Sequence, residues 1–206
     1  MLKVWGRTNS INVQKVLWTL AELDLRYERI DAGMQFGVVD TPEYLARNPN
    51  RLIPALDDDG YVLWESNVIV RYLSARYGAA FLYPEDMRER FLAEQWMDWQ
   101  ATNLYVALVP AFLGLIRKVP QFSDPAAIEA SRAKTEVFMS VLDGHLASRD
   151  YLVGDSFTMA DIPAGATACR WYAMPVKRDP HPNIERWLAA LRKRPGFARH
   201  VDLPLS

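Results

Sequence analysis

The chain has 206 residues, half of them apolar and 24% charged, so it can bury a sizeable core and is not expected to be disordered. The 24 Lys and Arg residues nearly balance 25 Asp and Glu, which argues against nucleic acid or an anionic membrane as the main partner. A single cysteine excludes a disulfide framework, and the three His residues lack the spacing of metal ligands. No apolar run reaches the length of a membrane span, and the first residues lack the pattern of a signal peptide. We therefore expect a cytoplasmic protein that holds no metal.

The N-terminal part alternates short strands with helices. Residues 2–6 form a brief apolar strand, and apolar residues spaced three and four apart over 13–23 predict an amphipathic helix. Residues 26–30 alternate polar and apolar side chains and predict a second strand, which must run parallel to the first because a helix connects them. A short helix is expected over 41–48, with Thr41 as its N-cap.

The segment IPALDDDGYVLWES at 53–66 predicts a β-hairpin. The Asp and Gly residues at 57–60 are typical of a tight turn between two apolar strands. Residues 66–77 then predict a helix. This order of strands and helices indicates an α/β domain over 1–77, followed by a linker over 78–86.

The second domain, over 87–206, has an all-α pattern. Its first helix carries apolar residues on several sides and should be buried on more than one face, with Pro110 and Gly114 as positions where it can bend. The last helix is expected to stop before Pro195. The predicted helices cover 87–117, 126–147, the residues that follow the segment GDSFTMADI at 154–162, and 182–193.

The segment FTMADI has the spacing of a helix start. The Thr158 hydroxyl can accept from the N–H of Asp161 while the Asp161 carboxylate accepts from the N–H of Thr158, which is a capping box. Phe157 and Ile162 are placed to form the accompanying hydrophobic staple. Asp161 is therefore expected to stabilise a helix and not to act as a catalytic acid.

Three stretches, in this order, carry a family resemblance: Ser10 ahead of the first helix, NPNRLIPAL at 48–56, and WESNVIVRYL at 64–73. With a helical half that contains FTMADI, the chain resembles the cytosolic glutathione S-transferase superfamily over nearly its full length, in particular bacterial-like members with a serine-type or Thr/Asn-type active site. The resemblance implies a thioredoxin-like N-terminal domain that binds glutathione, an all-helical C-terminal domain, and a homodimer.

The same resemblance implies where glutathione binds. Pro54 follows a cis peptide bond in the family, and the main chain of Ile53 then pairs with the cysteinyl amide of glutathione like an added strand. Glu65 and Ser66 begin a helix whose N-terminus favours an anion, while the Glu65 carboxylate accepts from an ammonium group. The pair therefore suits the γ-glutamyl end of glutathione, with an ordinary N-cap as the alternative interpretation.

Two positions depart from the family pattern. Many members have Gly followed by Lys or Gln where this chain has Arg51 and Leu52, and the polar side chain helps to hold the glycyl carboxylate of glutathione. Leu52 cannot supply that contact. Arg51, or a residue of the 32–40 loop such as Gln35, is expected to replace it.

Ser10 and Asn12 are the candidates for activation of the glutathione thiol. A free thiol has a pKa of about 8.5, and a hydroxyl donor at a helix N-terminus stabilises its thiolate form. Ser10, followed by Lys15, matches the serine-type members, and Ser10 with Asn12 matches the bacterial Thr/Asn spacing; a plain N-cap is the alternative for Ser10. The turn contains no cysteine, so the reactive thiol belongs to the ligand. It contains no tyrosine either, which argues against a tyrosine-type transferase.

A small apolar electrophile is expected beside the sulfur, between the two domains. The sequence thus predicts a glutathione transferase that serves in detoxification, with glutathione as co-substrate. Glutathione-dependent disulfide or peroxide reduction, and a non-catalytic interaction module of the same fold, stay open as alternatives. By resemblance, the electrophile pocket is formed by Arg7, Thr8, Phe112, Ile116, Trp171 and Tyr172.

Overall fold

A computed structural model of the chain describes residues 1–78 and 80–206. Ala79, which falls in the predicted linker over 78–86, lies outside the described residues. A four-stranded mixed sheet with helices forms the N-terminal domain, and the residues after 86 form an all-helical domain. The predicted fold class, an α/β domain followed by an all-α domain, is therefore confirmed.

The sheet has the strand order β2-β1-β3-β4. Its first two strands are parallel, as the connecting helix requires, and the other neighbours are antiparallel. Asp59 and Gly60 close the β3–β4 hairpin with positive φ angles of 50° and 93°, as a tight two-residue turn demands. The strands are β1 (Leu2–Trp5), β2 (Tyr27–Ile30), β3 (Ala55–Asp58) and β4 (Tyr61–Trp64).

Two helices cover one face of this sheet. Helix α1 (Ile11–Glu22) buries the predicted apolar stripe, including Val13 and Leu20, against strand residues of β1 and β3. Helix α3 (Ser66–Tyr77) adds Ile69 and Leu73 to the same core, and each fully buried side chain of this kind contributes about 1.5–3 kcal/mol. The helix predicted over 41–48 is shorter: α2 covers Pro42–Leu45, with the Thr41 hydroxyl accepting from the N–H of Tyr44 as predicted.

The helical domain differs from the predicted pattern in two places. The single helix expected over 87–117 is divided by a π-helical segment, Gln100–Leu104. Close packing requires a glycine at position 114, because a Cβ there would lie 2.2 Å from the carbonyl oxygen of Phe122. The helix predicted over 182–193 does end before Pro195, at Arg192, but a further short helix that was not predicted begins at Pro195, since proline at the first helical position needs no N–H.

No helix in the described ranges is long and apolar enough to cross a membrane. The remaining helices are α4 (Met87–Trp99), α5 (Tyr105–Leu115), α6 (Pro125–Leu146), α7 (Asp161–Ala173), α8 (Pro182–Arg192) and α9 (Pro195–His200).

Asp161 stabilises the start of α7, as predicted. Its carboxylate accepts from the N–H groups of Thr158 (2.9 Å) and Leu152 (3.0 Å) and from the indole N–H of Trp187 (3.0 Å). The other half of the capping box differs, because the Thr158 hydroxyl accepts from the N–H of Ala160 and not from that of Asp161. Complete burial raises the pKa of Asp161 to about 6, although these donors act in the opposite direction.

The second domain packs directly on α1. Trp18 lies in the helical core, with its ring 5.6 Å from that of Phe157 and 4.9 Å from that of Phe197. Its indole N–H donates to Glu22 at 2.7 Å, and Arg194 of the C-terminal domain also pairs with Glu22 at 2.7 Å. The helix that carries Ser10 at its N-terminus is therefore held by both domains.

Candidate active site between the two domains

Ser10 caps α1 with its backbone and leaves its side chain free. The residue is extended (φ −88°, ψ 123°), and its carbonyl accepts the first helical hydrogen bond, from the N–H of Gln14 at 2.9 Å. Ser10 is thus the N-cap residue of α1, as the alternative interpretation expected, but its hydroxyl makes no capping hydrogen bond. A hydroxyl that is not used by the helix, next to a helix N-terminus, is suited to hold an anion.

Lys15 joins the two predicted parts of the site. Its ammonium group donates to the side-chain oxygens of Asn12 (3.1 Å), Asn67 (3.2 Å), Gln100 (3.4 Å) and Ser66 (3.5 Å). Asn12 belongs to the predicted thiol site, and Ser66 belongs to the predicted γ-glutamyl site. A single buried cation therefore fixes side chains from both.

The environment of Lys15 penalises its positive charge. The side chain is only 2% exposed. Burial lowers its pKa to about 7, and the nearby charge of Arg170 acts in the same direction, while Glu65 acts against it. The charged and neutral forms of Lys15 are therefore close in free energy near pH 7.

The hydrogen bonds of this cluster continue into the helical domain. Asn67 donates to the carbonyl of Met97 (2.9 Å) and to the side chain of Gln100 (3.1 Å). Gln100 is completely buried and donates to the hydroxyl of Thr167 on α7 at 2.8 Å. Because Gln100 begins the π-helical segment, the irregularity directs a polar side chain of the helical domain towards α1 and α3.

The peptide bond between Ile53 and Pro54 is cis. The carbonyl of the preceding residue, Leu52, accepts from the Tyr44 hydroxyl (2.5 Å) and from the Asn48 side chain (2.8 Å). Within the described residues, the N–H and C=O of Ile53 take part in no hydrogen bond. The main chain of Ile53 is therefore available to a ligand that pairs as an extra strand.

Glu65 and Ser66 lie at the N-terminus of α3, as predicted. Glu65 is an exposed residue with φ +70°, a conformation that costs about 1 kcal/mol for a residue with a side chain and is concentrated at functional sites. Ser66 is buried beneath it. Arg51 is exposed and pairs with Asp40 at 3.4 Å, and Leu52 is 62% exposed.

A cavity of about 210 Å³ lies between the start of α1 and helices α5 and α7. Ser10 is part of its wall, whereas Ile53, Glu65 and Ser66 are not among the described residues that line it. The lining residues are Arg7, Asn9, Ser10, Ile11, Met34, Tyr105, Val109, Phe112, Leu113, Arg117, Val119 and Arg170.

Two of the six residues predicted for the electrophile pocket, Arg7 and Phe112, line this cavity. Thr8 is exposed to solvent and is not one of the lining residues, and Ile116 packs against the helical core. Trp171 is completely buried in that core. Tyr172 lies against the guanidinium of Arg178, outside the cavity wall. Helix α7 is buried on every side over most of its length, so its sequence pattern could not indicate which face meets the cavity.

Three residues of the cavity wall were not predicted: Tyr105, Arg117 and Arg170. No tyrosine lies in the opening turn, but the fold brings Tyr105 from α5 to the same cavity wall as Ser10. Burial raises the pKa of the Tyr105 phenol, so its hydroxyl stays protonated. Arg170 carried a usable signal, since it stands among the small and aromatic residues of ATACRWYA and an arginine is rarely buried unless it is paired.

The fold and the site define a class of protein. A thioredoxin-like domain with a cis-proline edge and a free hydroxyl at a helix N-terminus is joined to a helical domain, and a cavity lies between the two. The chain matches the family models "Glutathione S-transferase, N-terminal domain" over residues 1–75 and "Glutathione S-transferase, C-terminal domain" over residues 104–195. It therefore belongs to the glutathione S-transferase family.

Individual relatives agree with this assignment. The chain is 41% identical to the glutathione S-transferase GstB of Escherichia coli strain K12, with all of both chains covered. Among solved structures, a theta class glutathione S-transferase from Xanthomonas axonopodis pv. citri with glutathione bound is 41% identical, with a TM-score of 0.94 over 100% of this chain and 99% of that one. The Bombyx mori glutathione transferase BmGSTD1 is 28% identical, with a TM-score of 0.87 over 98% and 92% of the two chains.

Proposed function

We propose that the chain is a glutathione transferase in which Ser10 donates its hydroxyl proton in a hydrogen bond to the glutathione sulfur and so stabilises the thiolate. The observation that carries this proposal is the free Ser10 hydroxyl at the N-terminus of α1, in the wall of the interdomain cavity. The helix dipole and the hydroxyl both favour the thiolate over the thiol. The thiolate then attacks an electrophilic carbon held in the cavity.

Glutathione is proposed to lie along the cis-proline edge. Its cysteinyl amide pairs with the free main-chain groups of Ile53, next to Pro54, and its γ-glutamyl group binds at Glu65 and Ser66. The free backbone of Ile53 and the strained conformation of Glu65 support this placement. The exposed Arg51 is the remaining candidate for the glycyl carboxylate, because Leu52 has no polar side chain.

Asn12 is proposed to assist Ser10. Its side-chain oxygen accepts from Lys15, so the amide N–H groups are the part of the side chain that can donate to the sulfur. Tyr105 is the competing donor, since its protonated hydroxyl belongs to the same cavity wall. The two alternatives make different predictions for the bound thiol.

The experiment is an ultraviolet titration of the thiolate of bound glutathione. In Ser10→Ala the pKa of the bound thiol is expected to rise by about one unit or more, which lowers the thiolate fraction roughly tenfold at pH values below both pKa values. Asn12→Ala should give a smaller rise. Tyr105→Phe, the matched control, should leave this pKa unchanged. An unchanged pKa in Ser10→Ala together with a raised one in Tyr105→Phe would assign the role to Tyr105 instead.

Disulfide reduction is a second candidate function, favoured by the spacing of Ser10 and Asn12. It too would use the thiolate of glutathione, because the turn contains no protein thiol. Turnover of a small disulfide without conjugation of any electrophile would favour it. Failure to bind glutathione at millimolar concentration would favour a non-catalytic module.

We also propose that the chain forms a homodimer in the cytoplasm. Exposed apolar side chains support the dimer: Val68 on α3 is 41% exposed and Phe91 on α4 is 65% exposed. Val68 lies one helical turn before Arg71, and Phe91 lies one helical turn before Glu94. Arg71 and Glu94 pair with each other across the two helices. The two apolar side chains are therefore placed on neighbouring helices at one surface.

A further inference from the structure

Three arginines line the cavity beside Ser10. They are Arg7, Arg117 and Arg170, which come from the opening turn, the segment just after α5 and the last turn of α7. Over residues 1–78 and 80–206, no salt bridge involves any of the three. Arg170 is only 8% exposed, so solvent does little to compensate for its charge.

The guanidinium groups converge. Arg117 and Arg170 both donate to one acceptor, the carbonyl oxygen of Asn9, at 3.2 and 3.4 Å. They also flank the same ring, because their guanidinium carbons lie 5.6 and 4.4 Å from the centroid of Phe112. The Nε of Arg7 is buried and has no hydrogen-bond partner among the described residues. The three groups thus have more donors at the cavity than the surrounding chain satisfies.

This arrangement is unfavourable in the free protein. Burial and the charge of Arg117 lower the pKa of Arg7, and burial lowers the pKa of Arg170 to about 10. Buried charges are normally paired, because desolvation without a partner destabilises the fold. An anionic ligand in the cavity would remove this penalty and use the free donors, and the planar guanidinium fits a carboxylate in a bidentate manner.

The carboxylates of glutathione are not the natural partners of this cluster. The residues proposed for glutathione, Ile53, Pro54, Glu65 and Ser66, are absent from the cavity wall in the described structure. Ser10 belongs both to the proposed thiol site and to the cavity wall, so a second substrate bound in the cavity would lie beside the glutathione sulfur.

We propose that the second substrate of this enzyme is an anionic electrophile: a compact apolar body, of about the size of one ring, that carries a carboxylate. The proposal rests on the proposed transferase function and narrows its substrate class from the apolar electrophile that the sequence predicted. The carboxylate binds Arg117 and Arg170, with Arg7 beside them. The apolar body packs against Phe112 and the neighbouring aliphatic wall, and the reactive carbon faces Ser10.

The reaction itself leaves the carboxylate unchanged. For an aryl chloride, the thiolate sulfur forms a bond to the carbon that bears chlorine, and chloride leaves with the electron pair of the broken carbon–chlorine bond. The thiol proton goes to solvent. The arginines act by binding and by orientation, which raises the local concentration of the correctly placed electrophile.

The test compares two aryl chlorides with the full-length protein, 4-chloro-3,5-dinitrobenzoate and the corresponding neutral benzamide. They share the ring, the nitro groups and the leaving group and differ in charge. The wild type is expected to prefer the benzoate in kcat/KM. Because a charge-assisted hydrogen bond is lost, Arg117→Gln and Arg170→Gln should each lower the benzoate-to-benzamide ratio by roughly 10- to 100-fold. Lys118→Gln, which removes the same charge from an exposed neighbouring side chain, should leave the ratio unchanged.

Arg117→Gln is the safer variant, because Arg170 is buried and its replacement can disturb folding. A ratio unchanged in Arg117→Gln would overturn the proposal. So would a rise in KM for glutathione without a change in the ratio, since the arginines would then serve the glutathione carboxylate.

Binding of the unreactive 3,5-dinitrobenzoate, measured by calorimetry against the matching benzamide, separates this inference from the proposed function. A preference for the benzoate that Arg117→Gln abolishes supports the anionic site even if Ser10→Ala leaves the bound thiol unaffected. Conjugation without any preference for the benzoate leaves the transferase function standing and overturns the anionic site.

Discussion

Replacement of Lys15 by Met tests whether burial of the Lys15 ammonium group couples its protonation to folding. Met has a similar unbranched shape but no charge and no donor. The ammonium of Lys15 is 2% exposed and is held by four side-chain oxygens and no carboxylate among its described hydrogen-bond partners. Its protonation must therefore couple to folding, and the substitution removes that coupling.

The sign of the effect follows from the two pKa values. In the folded protein, burial lowers the pKa of Lys15 to about 7, whereas a lysine in an unfolded chain titrates near 10.4. Between these values the unfolded chain binds the proton and the folded protein does not. The free energy of unfolding of the wild type therefore rises with pH across this window, relative to a variant without the titrating group.

The magnitude comes from the same shift. Each pH unit inside the window changes the free energy of unfolding by up to about 1.4 kcal/mol. From about pH 7.5 to about pH 9.5 the wild type should therefore be stabilised by about 2.5 kcal/mol relative to Lys15→Met. Below about pH 6 both states are protonated and the difference should be constant.

The assay is urea unfolding followed by tryptophan fluorescence, at fixed protein concentration and constant ionic strength across the pH series. Taking the difference between the two proteins cancels the titration of groups that they share. Parallel curves of stability against pH for the wild type and Lys15→Met would contradict this prediction. They would mean that the four oxygens hold the ammonium at its ordinary pKa.

Two further predictions use matched pairs of variants. Gly114→Ala should destabilise the fold by about 1–3 kcal/mol in urea unfolding, because its Cβ would overlap the carbonyl of Phe122. Gly144 also lies in a helix, but nothing would lie within 4 Å of its Cβ, so Gly144→Ala should raise the free energy of unfolding by up to about 1 kcal/mol. Equal effects of the two substitutions would contradict the predicted overlap at Gly114. If α3 and α4 form the dimer surface, Phe91→Glu should give a monomer in sedimentation, while Val137→Glu, at a 62% exposed apolar position on α6, should stay dimeric. A Phe91→Glu protein that sediments as the wild type does would rule out this surface.

The local elements, and the residues proposed to bind glutathione, could be predicted from the sequence alone. Periodicity placed α1 and α3, the Asp-Gly turn placed the hairpin, and Thr41 and Asp161 marked helix starts, because each of these signals depends on residues within a few positions of one another. The same is true of Glu65 and Ser66, which are adjacent in the chain and lie at a helix N-terminus.

The interdomain cavity and its charged residues could be recognised only in the tertiary structure. These contacts join elements that are distant in sequence. Lys15 donates to Gln100, and Arg117 and Arg170 donate to the same carbonyl oxygen, that of Asn9. Tyr105 lines the same cavity as Ser10. The sequence pattern of α7 could not separate Trp171 from its neighbour Arg170, because nearly every side of that helix is buried. Periodicity reports which residues avoid water, but it does not report which neighbour each buried face contacts, and that choice is made by the packing of the two domains.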